Sequence, residues 1–227
     1  MTFYSTDSRV QDDRATAILV TPKLRPSLYR KIGKRALDLV LLLMTAPIMV
    51  PLIAIMTLAV LLTGATPIYV QERVGLNGKT FRMWKLRTML PNAEEHLKSY
   101  LAKNPEARAE WDSKQKLLND PRITPIGSFL RKTSLDELPQ LLNVLTGSMS
   151  LVGPRPMMLD QKEQYTGTAY YRQRPGMTGL WQISDRNSSK FVDRVQFDEI
   201  YSRKLSLNVD IYVILRTVVV MLRRTGC

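Results

Sequence analysis

In a chain that carries a formal net charge of +13, two carboxylates stand side by side, Asp136 and Glu137. They lie in "RKTSLDELPQLLNVLTGSMSLVGPRP", residues 131–156. Arg131 and Lys132 precede them, and Arg155 follows, held between Pro154 and Pro156. Local sequence leaves two readings of the pair open. In the structural reading, Ser134-x-x-Glu137 has the capping-box spacing, and acidic residues in a first helical turn interact favourably with the macrodipole. A helix is then expected from near Ser134 to Leu145, with Pro139 close to its start and Gly147 as its C-cap. At the positive end of such a helix an aspartate stays ionised. In the chemical reading, Arg131, Lys132 and Arg155 join the helix N-terminus in an anion site. An ionised carboxylate beside an anion site suits phosphoryl chemistry, which is mainly positioning plus charge neutralisation. One carboxylate could be a nucleophile that forms an aspartyl-phosphate type intermediate. Its neighbour could hold Mg2+, which takes oxygen ligands from protein, water and substrate phosphate.

The rest of the composition narrows the chemistry. The positive charge calls for an anionic partner: nucleic acid, an acidic membrane surface or a phosphorylated substrate. Cys227 is the only cysteine, so neither an intrachain disulfide nor a cysteine-rich zinc site is available. His96 is the only histidine and lies in a polar, helix-prone stretch, where it reads as a surface residue. Histidine-based zinc sites are excluded. Catalysis falls to Asp, Glu, Lys, Arg, Ser, Thr or Tyr.

The elements that must position the pair begin with an apolar segment. No charged residue occurs between Asp38 and Glu72, and the core of the run, Leu39 to Thr63, is long enough for a membrane helix. Pro47 and Pro51 interrupt it, and each removes a backbone donor. Both flanks are basic: Arg30, Lys31, Lys34 and Arg35 before; Arg73, Lys79, Arg82, Lys85 and Arg87 after. Basic loops stay cytoplasmic. The segment is therefore read as a re-entrant helix–break–helix turning at Ala46, Pro47 and Pro51, in preference to a straight span or a buried soluble helix. Asp38 reads either as an ion-pair partner of Arg35 or as the charge that ends the apolar run. Residues 68–85 predict a hairpin about Asn77-Gly78. Residues 92–118 predict polar surface helices divided at Pro105, with little chemistry of their own. A helix is expected over Phe129–Lys132, and Leu205 to Arg224 is an apolar element suited either to the membrane interface or to core packing. The expected architecture is mainly α with a small β-hairpin, a single monotopic membrane-associated domain: a flexible tail at 1–27, the re-entrant helix at 28–66, and a catalytic region at 67–227 continuous with it.

Several segments together resemble the bacterial sugar transferase family, the monotopic phosphoglycosyl transferases. They are "KRALDLV", "QERVGLNGKTFRMWKLRTM", "ITPIGSFLRKTSLDELPQLLNVLTGSMSLVGPRP" and "RPGMTGLWQIS", in the family's order. The resemblance is to the compact form, without four preceding spans, seen in galactose- or glucose-phosphate priming enzymes of exopolysaccharide synthesis. It implies transfer of sugar-1-phosphate from a UDP-sugar to undecaprenyl phosphate, releasing UMP, at the cytoplasmic face of the bacterial inner membrane. By motif match, Asp136 is the nucleophile and Glu137 the Mg2+-binding acid. Arg131 and Arg155 match phosphate-binding positions, Lys85 and Arg87 a basic motif of the same site, and Asp198 an acid near it. Anionic lipid and downstream glycosyltransferases are the further partners implied. Nucleic acid is disfavoured, since the uninterrupted apolar segment marks a membrane protein. The rival expectation is a non-catalytic, membrane-anchored scaffold of a polysaccharide-assembly complex. This sequence departs from the family pattern at Ala46-Pro47, where Ser-Pro is usual and Thr45 is placed to bond a carbonyl freed by proline. It departs again at Asp185, where glycine is expected.

Overall fold

The computed structural model describes residues 27–114, 117–184 and 191–222. The expected tail, apart from residue 27, and Asp185 lie outside the described residues. A π-helical turn at Tyr29–Gly33 leads into α1, Lys34–Leu61, which is long and apolar enough to cross a membrane. At 1.5 Å per residue it extends about 42 Å.

The expected break is absent from the secondary structure: α1 is helical through both prolines. Pro47 cannot donate to the carbonyl four residues back, that of Leu43. The Thr45 hydroxyl does not take up that carbonyl. It donates instead to Leu41 and Leu42, at 2.8 and 3.3 Å. Back-bonding of this kind satisfies a hydroxyl inside an apolar helix without leaving the helical backbone.

Both ends of α1 dock on one body. At the N-terminal end Arg35 donates to the carbonyls of Val144 and Leu145, and Lys34 pairs with buried Asp210 at 2.8 Å. Asp38 is buried and accepts from the Ser150 hydroxyl and the Leu151 N–H. Neither reading of Asp38, the Arg35 pair or the mere end of the apolar run, describes it: the Asp38 and Arg35 side chains each fasten the helix to the body. At the other end Val60 and Met56 pack on Leu86 and Leu130. Between these points Leu43, Met44, Ile48 and Ile55 are exposed. A helix crossing the bilayer would carry its far end through a hydrocarbon core of about 30 Å, away from the body. Docking at both ends suits the monotopic arrangement that two basic flanks imply.

The hairpin forms as expected. β1, Ile68–Val74, pairs antiparallel with β2, Thr80–Leu86, and the turn uses left-handed Asn77 (φ 55°) and Gly78 (φ 75°). α2, Ala93–Lys103, and α3, Pro105–Lys114, follow, divided at Pro105. α4 spans Pro125–Thr133, with Pro125 in its first turn and the Thr124 hydroxyl accepting the Gly127 N–H.

The helix expected from Ser134 to Leu145 is split. Leu135–Glu137 form a 3-10 turn, and α5 runs only over Gln140–Thr146 before Gly147 (φ 84°) closes it. Ser134 makes no capping bond. A capping residue needs extended backbone, but Ser134 sits at φ 57° because it terminates α4, its N–H bonded back to Arg131. One residue cannot hold both conformations, so the capping box does not form.

β3, Ser150–Val152, pairs in parallel with β4, Gly176–Thr178, followed by α6, Leu180–Ile183, α7, Arg194–Lys204, and α8, Leu207–Leu222. Contacts join these pieces through small clusters. Met83, Val144 and Met149 lock β2 to α5; Val152, Tyr201, Leu205 and Val213 lock β3 to α7 and α8. The two readings of the C-terminal element divide along its faces: α8 buries Asp210 and Val213, and exposes Ile211, Leu215 and Val219.

The docking predicts a topology. In a Cys227→Ser background, single cysteines at Lys31 and Lys79 should both react with an impermeant maleimide in inside-out vesicles and neither in right-side-out ones. Opposite labelling of the two sites would establish a span.

Candidate active site

β2 brings the first functional residue into place. Asn143 of α5 is buried against its open edge, accepting from Trp84 N–H at 3.1 Å and donating to the Arg82 carbonyl at 2.7 Å. An amide that meets a donor and an acceptor on one strand fixes that strand's register. The next residue out, Lys85, is thereby aimed at the 3-10 turn between α4 and α5. Its Nζ lies 2.7 Å from Glu137 Oε1 and 4.0 Å from Asp136 Oδ2.

The segment after β2 carries the second cation. Thr88 Oγ1 accepts from Arg131 Nε at 2.9 Å. α4 lies directly on this segment, and a Cβ on Gly127 would fall 2.0 Å from the Thr88 carbonyl oxygen. Arg155 arrives from a different direction. The backbone beyond β3 passes so close to β4 that a Cβ on Gly176 would meet Gly153 N at 2.1 Å. The Arg155 carbonyl accepts from Arg194 Nη2, and both guanidinium groups lie over the Trp181 ring, at 6.0 and 5.1 Å.

These parts enclose a cleft of about 930 Å3. Asp136, Glu137, Lys85, Arg87, Arg131 and Arg155 all line it, so six of the residues singled out by sequence meet in one place. Arg87 is at the rim, where its Nε bonds the Thr66 carbonyl and its guanidinium faces the Tyr69 ring. Asp198, expected near the site, is not among the residues that line the cleft. It is buried, accepts from the Tyr165 hydroxyl at 2.9 Å, and interacts electrostatically with the Arg194 guanidinium. Burial pushes its carboxyl up to about 6.

The local electrostatics differ from the expectation drawn from a helix terminus. Asp136 sits on a 3-10 turn, and its side chain is only 13% exposed. Burial raises its pKa above the usual carboxylate value; Lys85 lowers it, Glu137 raises it, and Arg131 lowers it. Cations, more than a helix dipole, favour the ionised form here. Among the described residues no group of three or more His, Cys, Asp or Glu side chains converges on a metal position. The donor set fits a Mg2+ ion held by one or two carboxylates and otherwise by phosphate oxygens and water.

Sequence reading missed several lining residues. Glu94, Glu95 and Trp111 of the polar helices form the far wall, so α2 and α3 are not merely solvated. Trp111 carries the Arg122 guanidinium over its ring at 5.2 Å, and Arg122 is in turn forked onto Asp120. Thr88 and Trp181 fall within the family-like segments, but nothing in their spacing indicates a cleft.

A family model described as bacterial sugar transferase matches residues 29–224. The chain belongs to that family. It is 49% identical over 85% of its length to a Salmonella typhimurium undecaprenyl-phosphate galactose phosphotransferase, covering 41% of that protein. It is 44% identical over 82% of its length to the exopolysaccharide production protein ExoY of Rhizobium meliloti, covering 84% of it. With the Escherichia coli UDP-glucose:undecaprenyl-phosphate glucose-1-phosphate transferase it shares 34% identity over 96% of its length, covering 46% of that relative. The chain thus spans less than half the length of the Salmonella and Escherichia relatives.

The balance of charges predicts a titration shift. With [13C]carboxyl-labelled Asp, Lys85→Met should move the Asp136 titration to higher pH than in the wild type, because the largest opposing influence on burial is gone. An unchanged or lower midpoint would show that Lys85 does not hold Asp136 ionised.

Proposed function

We propose that this protein transfers a hexose-1-phosphate from a UDP-sugar to undecaprenyl phosphate, giving undecaprenyl-diphosphate-sugar and UMP. The reaction is the first step of an exopolysaccharide or related surface glycan. The observation that carries the reading is the Asp136 carboxylate set within a cationic cleft of Lys85, Arg131 and Arg155 on a body fastened to an apolar helix at both ends. Residues 28–66 serve as the membrane helix and 67–227 as the catalytic region, at the cytoplasmic face of the bacterial inner membrane. Anionic lipid holds the basic flanks, and downstream glycosyltransferases take up the product.

In the first step an Asp136 carboxylate oxygen attacks the β-phosphorus of the donor. A new P–O bond forms, the bond from that phosphorus to the bridging oxygen breaks, and UMP leaves with the oxygen and its electron pair. Arg131 and Arg155 neutralise the diphosphate during this exchange. Lys85 keeps the nucleophile ionised and holds Glu137 beside it. In the second step a phosphate oxygen of the acceptor attacks the sugar-phosphoryl group, and the bond to Asp136 breaks, restoring the carboxylate. Total charge is conserved in each step without proton transfer, so no histidine base is required. Mg2+, held by Glu137 with or without Asp136, supplies further neutralisation of the diphosphate when bound. The galactose and glucose in the relatives' names support a hexose donor for this chain.

Asp136→Asn should lower UMP release from UDP-galactose or UDP-glucose by roughly 10³-fold or more and abolish covalent capture of donor label. Normal turnover by this variant would sink the mechanism and favour a scaffold. Glu137→Gln should raise the Mg2+ concentration needed for half-maximal turnover, and chelation should stop the wild type; turnover indifferent to chelator would remove the metal from the reading.

A further inference from the structure

Behind the cleft lies a second cavity of about 360 Å3, with walls of a different kind. Leu41 of α1, Leu138, Ile183, and Ile214 and Val218 of α8 make it largely aliphatic. Polar residues line it as well, Lys132, Arg155 and Gln182 among them. The two cavities share Ser134, Glu137 and Arg155. On either side of that partition the neighbours divide. Asp136 lines the cleft alone and Leu138 the second cavity alone; Trp181 lines the cleft, whereas Gln182 and Ile183 line the second cavity.

Gln182 is the unexplained group. It is 7% exposed, and neither Oε1 nor Nε2 has a hydrogen-bond partner among the described residues. Native proteins rarely leave both ends of a buried amide unmade, and such a group calls for a partner. Gln182 packs close against the Gly179 backbone, where a Cβ would stand 3.0 Å from Gln182 Oε1 and 2.1 Å from the Gly153 carbonyl oxygen. The helices that wall the cavity, α1 and α8, are also those whose outer faces expose Leu43, Met44, Leu215 and Val219. Helices α1 and α8 therefore present aliphatic side chains both to the cavity and to the outer surface, while Glu137 and Arg155 also line the cavity.

We propose that this cavity seats the phosphate end of a single-chain isoprenoid phosphate, with the Gln182 amide N–H donating to its phosphate. The proposal rests on the reading of the acceptor given above. The aliphatic walls take the chain, and Lys132 and Arg155 complement the phosphate charge. A UDP-sugar lacks the apolar chain that these walls fit. The acceptor then approaches Asp136 from the opposite side of the partition to the donor. Its phosphate oxygen forms the new bond to the sugar-phosphoryl phosphorus as the bond to Asp136 breaks, and the aspartate carboxylate leaves.

The test uses the full chain in phosphatidylcholine vesicles, with Gln182→Ala and, as a cavity-filling variant, Val218→Trp. Both should retain the single burst of UMP released from donor without acceptor. Gln182→Ala should raise the KM for undecaprenyl phosphate about tenfold, as expected for loss of a hydrogen bond to a charged group, and Val218→Trp should raise it by filling the space that the chain takes. An unchanged KM in both variants, or loss of the burst in folded protein, would overturn the assignment. Phosphatidylglycerol at equal mole fraction should not raise the wild-type KM; if it does so strongly, the cavity takes bulk lipid. Direct binding of undecaprenyl phosphate, followed by tryptophan fluorescence, decides the matter independently of turnover. Weaker binding in both variants supports the seat even if the wild type gives no burst, a result that would count against the proposed reaction alone, and equal binding refutes it.

Discussion

The Asp136 carboxylate is largely withdrawn from water beside a second carboxylate, and both its burial and that neighbour disfavour its ionisation. Lys85 offsets both effects at once, 2.7 Å from Glu137 and 4.0 Å from Asp136. Much of the surrounding structure can be traced to holding that ammonium group. The Asn143 amide clamps the edge of β2, Met83, two residues before Lys85 and so on the same face, packs against Val144 of α5, and the hairpin partner Tyr69 stands across from Lys85. Because Asn143 and the acidic turn belong to one short stretch of chain, strand and turn cannot shift independently. The cation and the carboxylates are therefore preorganised before any phosphate arrives, which is where an enzyme of this kind gains most.

The membrane helix is part of the same construction. Asp38 is buried, yet it accepts bonds from Ser150 and Leu151, at the start of the strand that leads to Arg155. Asp210 is buried as well and takes Lys34, Tyr29 and Tyr201. Buried carboxylates persist when they are paired and hydrogen-bonded. Their cost is met by ties that join α1 to α8 and β3, so the depth of the anchor and the position of the phosphate-binding arginine are set together. Asp198 performs a comparable task further out, gripping Tyr165 beside Arg194, whose guanidinium holds the Arg155 backbone. It acts on the site through another residue.

The split of the expected helix at Ser134 has a direct consequence. Had one helix run from Ser134 to Leu145, Asp136 and Glu137 would point outward from a regular surface. Left-handed Ser134 reverses the chain after α4, and the 3-10 turn then presents Asp136 to the polar cleft, with Glu137 at its boundary with the aliphatic cavity. The turn serves as a partition because it is tight, and it is tight because α4 ends on the same residue that begins it.

Local chemistry in the sequence was enough for much of this. Alternating residues about Asn77-Gly78 specify a hairpin, Pro105 divides two polar helices, and a run without charges from Leu39 to Gln71 marks an apolar helix with basic flanks. Those signals act between near neighbours, so they are legible without a structure. Six cleft residues were likewise legible as family-like motifs. Tertiary structure alone decided which of two competing local states Ser134 adopts, that Asp38 bonds β3 and not Arg35, that Asp198 lies behind the site, and that Trp111, Thr88 and Gln182 line cavities. Apart from the Ser134 turn, these depend on groups tens of residues apart, such as the 112 separating Asp38 from Ser150. Their contact free energy exists only once the chain has closed on itself, and nothing in the spacing of neighbouring residues records it.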